Sequence, residues 1–387
     1  MDQQIYTLLF ALIRSAVSGE KLEEKYVKQY SHELFDPLYK LASKHDVAHL
    51  FILGLKNNAL IAEDDLRFEK VIFTAVYRYE KLQFELEALC QALEEARLCF
   101  IPLKGAIIRG YYPEPWMRTS CDIDVLVKKE ELENAINALC MSLGYEKAGR
   151  STHDVSLSSP SGVRIELHFD LVEEDCANNA INVLRSVWDM SEPEEGCTYR
   201  HKMNSGFFYF YHIAHMAKHF ENGGCGIRPF IDLWLLEKHA KTNAEKKDGL
   251  LCESGLDKFA HSAVELSLVW FEGKKPDPLS IQMQDFLLSG GVYGTTKNRV
   301  TLQQNKKGGK AGYLISRIFA PKEKLVRYYP VLEKHPWLLP FMQVRRWFML
   351  LNPKVAKMAK SELNANKSLD GEKAKDMKRF LNEVGLQ

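Results

Sequence analysis

The chain has 387 residues, 46% of them hydrophobic and 27% charged, with 52 Lys+Arg against 51 Asp+Glu. That composition excludes wholesale disorder, collagen and coiled coil, and no stretch reaches the roughly 18 uninterrupted apolar residues that a spanning helix needs. The near-neutral total hides an asymmetry: Gly291–Gln387 holds 20 Lys+Arg and 7 Asp+Glu, whereas the remainder holds 32 and 44. A basic end on an acidic body suits RNA or another polyanion, an anionic membrane surface, or attraction between the two parts of the chain.

The apolar run Tyr6–Ile13 is preceded by Asp2 and closed by Arg14 without a small-residue cleavage site, so it reads as a first helix and not an export signal. Apolar residues recur at helical spacing in Ile5, Leu8, Leu9 and Leu12 and again through Phe73–Leu89, which makes residues 1–95 an N-terminal helical region. The eight cysteines contain no CxxC pair, which gives no zinc site and fits a reducing cytoplasm.

The texture changes at Leu98. Leu98–Leu103 predicts a short strand ending in Lys104-Gly105, followed by a helical piece at Ala106–Gly110 and a loop with Pro113 and Pro115. Cys121–Val127 alternates and predicts a strand, Glu130–Leu143 a helix stopped by Gly144, and Asp154–Ser158 with Val163–His168 a hairpin around Pro160–Gly162. Residues 96–200 thus form an α/β core. The helical period returns at Phe207–His219, Pro229–His239 and Leu256–Phe271, defining a helical part over 201–290. Residues 291–387 form the basic C-terminal region. It starts in a glycine-rich basic loop (Gly290–Gly312, with Lys306–Lys310), passes an aromatic and proline-rich stretch, and ends in a Lys-rich helix.

The chemistry concentrates in Leu103-Lys104-Gly105, Arg118, Asp122-Ile123-Asp124 and Glu166-Leu167-His168. In a strand, Asp122 and Asp124 point the same way with Ile123 behind them. Paired carboxylates repel and are costly to bury, and a divalent cation compensates both. Hard oxygen ligands suit Mg²⁺, or Mn²⁺. Glu166, 42 residues after Asp124, is flanked by apolar Ile165 and Leu167 and faces away from the core. If the two strands are neighbours, three carboxylates converge into a two-metal phosphoryl-transfer ligand set; standing alone, an Asp-x-Asp is a solvated strand face. Gly105 at the strand-to-helix turn lets backbone N–H groups approach a triphosphate.

These residues resemble the polymerase-β-like nucleotidyltransferase superfamily, and more closely a family of uncharacterised nucleotidyltransferases. The pattern stands here as Leu103-Lys104-Gly105, Tyr112-Pro113, Arg118, Asp122-Ile123-Asp124-Val125-Leu126-Val127 and Glu166-Leu167-His168. It extends to Lys218-His219, Arg228, Asp232 and a late stretch Tyr329-Pro330, Pro336, Leu339-Pro340 and Arg345. Where the superfamily usually has Gly-Ser or Gly-Gly at the turn, this chain has Gly105-Ala106, with Lys104 the residue placed to replace the missing hydroxyl. The resemblance implies an α+β fold, a small mixed-sheet nucleotidyltransferase core embedded in a mostly helical chain. It implies transfer of a nucleoside monophosphate from a nucleoside triphosphate (ATP or another) to an unidentified hydroxyl on a small molecule, a protein or an RNA end. In that reading Asp122, Asp124 and Glu166 are catalytic and metal-binding, and Lys104, Gly105 and Arg118 are nucleotide-binding. The alternative is a catalytically inactive, nucleotide-binding or interaction protein of the same fold.

His212, His215 and His219 fall on one helix face, for packing or for a metal, and His219 with Lys218, Arg228 and Asp232 can rim the nucleotide cleft. His168 shares the face of Glu166 and can orient it or contact substrate; His153 lies on the same hairpin. The aromatic and basic stretch Trp337–Phe348 has three readings: core, membrane interface or nucleic-acid stacking.

Overall fold

The structure is a computed structural model that describes residues 2–62, 65–172, 178–239, 244–326, 328–329, 331–368 and 371–386; Cys176 and Pro330 lie outside them. Helices dominate residues 2–95, as the spacing predicts. Three of them are α1 (Asp2–Ser18), α2 (Ala48–Asn57) and α3 (Leu66–Glu95). A five-stranded mixed sheet follows, in the order β1-β2-β5-β4-β3. Its strands are β1 (Phe100–Pro102), β2 (Asp122–Val127), β3 (Glu146–Arg150), β4 (Asp154–Ser158) and β5 (Arg164–His168). A single helical turn, α4 (Gly105–Ile108), leaves β1, and α5 (Leu132–Leu143) follows β2.

Strand parity decides which side chains go where. Ile123, Val125 and Val127 of β2 and Ile165 and Leu167 of β5 are buried against Leu86, Leu89 and Leu93 of α3 and Leu132, Ile136 and Leu139 of α5. The latter three recur at helical spacing, so α5 offers the sheet one apolar face. The odd-numbered residues of β2 fill that layer, which leaves Asp122 and Asp124 on the opposite face. β2 and β5 are parallel neighbours, with Asp122 opposite Arg164, Asp124 opposite Glu166 and Leu126 opposite His168. The adjacency on which the sequence reading of Glu166 depends is therefore present.

The acid-bearing face looks toward a second, larger core built around α6 (Ser205–Glu221), α7 (Arg228–His239) and α8 (Asp257–Phe271). Leu8, Leu12, Phe51 and Leu55 from α1 and α2 join the same core, as do Phe380 and Val384 near the end of the chain. α6 is capped by Asn204, whose side chain accepts from the Phe207 N–H at 3.0 Å.

Three local expectations need correction. Strand β3 was not predicted; all five of its residues are exposed, so this edge strand carries no apolar alternation to read. The short pair β6 (Ser191–Pro193) and β7 (His201–Met203) was missed because three-residue strands leave too short a pattern. The stretch Gly290–Gly312 is not one loop: it contains helix α9 (Thr296–Lys306) and the start of α10 (Gly309–Ile318), separated by Lys307-Gly308. Thr295 caps α9 by accepting from Asn298 N–H at 2.9 Å, and Lys306 pairs with buried Glu221 at 2.9 Å. The stretch read as a glycine-rich basic loop is therefore largely helix, with Lys306 and Lys310 on helices.

Candidate functional site

β1 runs antiparallel to β2, and the ladder continues one bond past its end, Leu103 N–H donating to Asp124 O at 2.9 Å. The next residue, Lys104, is therefore beside Asp124. Its backbone has φ +44°, a conformation that non-glycine residues avoid at a cost of about 1–3 kcal/mol. From there its ammonium donates to Asp124 Oδ1 at 3.0 Å. His168, projecting from β5 on the same face, donates from Nε2 to the same oxygen at 2.9 Å and lies 3.8 Å from Glu166 Oε2. Arg164 pairs with Glu166 Oε1 at 2.7 Å. His153 stacks on His168, ring centroids 5.8 Å apart, and its Nε2 lies 3.3 Å from Asp154 Oδ1.

The electrostatics follow from this crowding. Burial disfavours the Asp124 charge, but Lys104 and His168 on one oxygen hold its carboxyl well below the usual carboxylate range. Asp122 is pushed up, first by burial and then by Asp124; Glu166 is pushed up by burial, then by Asp124 and Asp122. Each acid thus makes the next harder to ionise, which is the condition a cation relieves. Among the described residues, Asp124, Glu166 and His168 form a group whose ligand atoms lie within 4.8 Å of one another and can hold a metal ion. Asp122 stands one pleat earlier on the same strand and lines the same cleft.

That cleft has a volume of about 290 Å³. One wall is the sheet face with Lys104 and Gly105; the other is α6 and α7 with Tyr211, His215, Lys218, His219 and Arg228. Gly105 sits against converging donors: a Cβ there would lie 3.2 Å from Arg118 Nη1 and 3.5 Å from both Arg109 Nη2 and Ser120 Oγ. Arg109 was not singled out from sequence. It is buried beneath the turn, donates from Nε to Gly105 O at 2.6 Å and from Nη2 to Ser120 Oγ at 3.0 Å, and leaves Nη1 without a partner. Burial, then the neighbouring Arg118, lowers its pKa to about 10.

Arg118 lines the cleft, yet its guanidinium is largely engaged elsewhere. Nη2 donates to Asp232 Oδ2 at 2.9 Å, Nε lies 3.3 Å from both oxygens of Asp232, and Nη1 donates to Thr119 O at 3.1 Å. Tyr112 donates its hydroxyl to Asp232 Oδ1 at 2.7 Å. Burial opposes the charge of Asp232, but Arg118 keeps its pKa below the ordinary value. Arg228 joins the same scaffold, donating to Asp46 Oδ2 at 2.9 Å and Thr119 O at 2.7 Å. Asp232 and Arg228, read from sequence as cleft rim, thus tie α7 to the loop that leads into β2.

The three histidines of α6 divide. His212 Nε2 donates to Pro229 O at 3.0 Å, a packing role. His215 and His219 face one another, Nε2 to Nε2, at 3.1 Å, so one donates and one accepts. Burial, then Lys104 and His219, drives the His215 pKa well below its ordinary value.

Sequence reasoning also missed Tyr293. It stands at the cleft mouth on the Gly290–Gly294 segment, its ring 6.5 Å from His219. The segment is pressed against the turn after α6. A Cβ on Gly294 would lie 1.9 Å from Gly223 O, an approach only glycine permits. The glycine signal was visible in the sequence, but its partner 71 residues away was not.

No curated protein matches the chain. A protein family described as uncharacterised nucleotidyltransferase matches residues 31–272, more than half of the chain, spanning the sheet, the acids and the α6–α7 wall of the cleft. The chain belongs to that family of uncharacterised nucleotidyltransferases.

Proposed function

We propose that the cleft transfers a nucleoside monophosphate from a nucleoside triphosphate to an acceptor hydroxyl, the acceptor oxygen bonding to the α-phosphorus as the α–β phosphoanhydride bond breaks and pyrophosphate leaves. The observation that carries this reading is the parallel pairing of Asp124 with Glu166, with Asp122 on the same face, opposite a wall rich in cationic and imidazole side chains. The donor set of three carboxylates fits Mg²⁺ or Mn²⁺, and mutual repulsion among the acids gives them reason to bind it. Asp122, Asp124 and Glu166 would hold the ion, and His168 would fix the Asp124 carboxylate by its hydrogen bond. When bound, the cation neutralises triphosphate charge and lowers the pKa of the acceptor hydroxyl.

The rest is positioning. Lys104 lines the cleft beside the Gly105 turn and supplies positive charge for the phosphates, while Arg109, buried beneath that turn, holds its backbone by donating to Gly105 O. Arg118 holds the loop rigid through Asp232 while keeping one guanidinium nitrogen beside Gly105. Glu166 is placed to take the acceptor's proton, and Arg164 on its Oε1 restrains its rotation. Tyr293 offers its ring to the nucleobase at the cleft mouth.

The test incubates the protein with each α-phosphate-labelled nucleoside triphosphate, Mg²⁺ or Mn²⁺ and a cell extract, beside the Asp122→Ala/Asp124→Ala protein. Label entering an RNA, protein or small-molecule fraction only with the intact acids supports transfer and identifies the acceptor class. Nucleotide binding without transfer under either metal would replace this reading with an inactive nucleotide-binding protein. Absence of both binding and transfer would refute the nucleotide reading of the cleft.

A further inference from the structure

The basic C-terminal region carries a surface that the cleft chemistry does not use. Trp337, Phe341, Val344, Phe348 and Leu351 follow at intervals of four, three, four and three residues, the apolar stripe of a helix. The backbone is helical throughout: a 3₁₀ turn at Pro336–Leu338, helix α11 (Leu339–Phe348) and a second 3₁₀ turn at Met349–Leu351. In a globular fold such a stripe turns inward, and the core reading of this segment expected that. Here the five side chains are 68%, 64%, 45%, 65% and 79% exposed.

The helix is mounted with its polar side inward. Gln343 is buried and donates to Ala320 O, Arg346 Nη2 donates to Arg317 O at 2.7 Å, and Trp347 Nε1 donates to Ile318 O at 3.0 Å. Those bonds fix the apolar stripe toward the outside. Exposed Ile315, Ile318 and Phe319 extend the patch, and Phe319 meets Trp347 edge to face at 6.0 Å.

Charge names the occupant. From Lys334 to Ser361 there are six Lys and Arg residues and no Asp or Glu. We infer that this face lies on an anionic lipid bilayer, with the Trp, Phe and Leu side chains entering the headgroup–acyl boundary and the exposed lysines Lys354, Lys357 and Lys360 meeting lipid phosphates. The mixture of Val, Leu and Ile with aromatics suits acyl chains; stacking on nucleic acid uses aromatic and Arg faces and gains little from aliphatics. Pairing with a second copy across a two-fold axis would gather twelve cations around one seam. No helix among the described residues is long and apolar enough to cross a membrane, so the contact is interfacial. This inference stands whether or not the cleft transfers nucleotides.

The experiment sediments the full-length protein with phosphatidylcholine vesicles and with phosphatidylcholine–phosphatidylglycerol vesicles. Binding to the anionic vesicles, weakened by salt, is expected, with little binding to the neutral ones. Phe341→Ser/Phe348→Ser should lower partitioning by roughly tenfold or more, since each exposed ring gives up its burial in lipid. Lys354→Gln/Lys357→Gln should reduce the preference for anionic vesicles, each cation contributing roughly fivefold. Both variants should keep the parent's circular dichroism and melting temperature, because these side chains are exposed in the fold. The inference is overturned by absence of binding to anionic vesicles, or by vesicle binding that the Phe variant leaves intact. It is equally overturned by a Phe-dependent dimer in light scattering, or a Phe-dependent shift of single-stranded RNA, without lipid binding.

Discussion

Replacing Asp232 with alanine removes a carboxylate that Arg118 and Tyr112 share in a dry site, the Asp232 side chain being 0% and that of Arg118 13% exposed. The guanidinium stays behind without its counter-charge, and stripping one partner from a buried pair costs about 3–5 kcal/mol. The Tyr112 hydroxyl also loses its acceptor, which on its own costs about 1–3 kcal/mol. These terms overlap, because Tyr112 and Arg118 address the same group, so the expected loss is ~4–6 kcal/mol. For a chain of this length that lowers the melting temperature by about 5–10 °C. Thermal and urea unfolding measure it directly. The double variant Arg118→Met/Asp232→Leu removes both charges and should recover most of the loss, because apolar replacements of a buried pair are close to neutral. A shift under 1 °C for Asp232→Ala, or a double variant no more stable than the single, would refute the claim that this pair clamps α7 to the loop entering β2.

His45 is buried with both ring nitrogens unpartnered, and burial followed by the Lys44 charge lowers its pKa to about 4. Its ordinary value lies near 6.5, so between those values the unfolded chain binds the extra proton; stability should fall by up to ~3 kcal/mol as pH drops through that window, and His45→Leu should flatten the profile in urea titrations. Tyr293→Ala should raise the KM for nucleoside triphosphate by roughly 5–100-fold, the worth of one stacking contact, while Tyr293→Phe stays near the parent; equal KM values for all three would remove Tyr293 from the site. His168→Ala frees Asp124 Oδ1 from its imidazole donor and should weaken Mn²⁺ binding, followed by calorimetry, by about 10–100-fold, with unchanged affinity counting against the orienting role.

The site was legible from sequence to the extent that strand parity could express it. Asp122 and Asp124 had to share a face because Ile123 had to be buried, and the apolar flanks of Glu166 made the same argument for β5. His168 followed two residues on. The partner of Arg118 was not legible: the arginine's charge suggests phosphate, and only the packing of α7 on the 112–120 segment delivers Asp232, 114 residues later in the chain. Gly290–Gly312 misled because Gly294 marks a close approach to the turn after α6 and Gly308 joins two helices, while the helix signal of Thr295 and its following turn was buried in basic composition.

Composition, period and spacing alone determined that helical stretches flank a run of short strands, that three carboxylates lie on two of those strands, and that the last quarter of the chain is basic. Those properties are local, since side-chain alternation and helical repeat are set by backbone geometry over a few residues. The tertiary structure decided the rest: that β2 and β5 are parallel neighbours, that Lys104 and His168 meet on one oxygen of Asp124, and that α6 and α7 close the cleft. It also decided that the aromatic stripe of α11 faces outward, because whether an amphipathic helix turns its apolar side in or out depends on where its polar groups find partners, here on the carbonyls of residues 317–320.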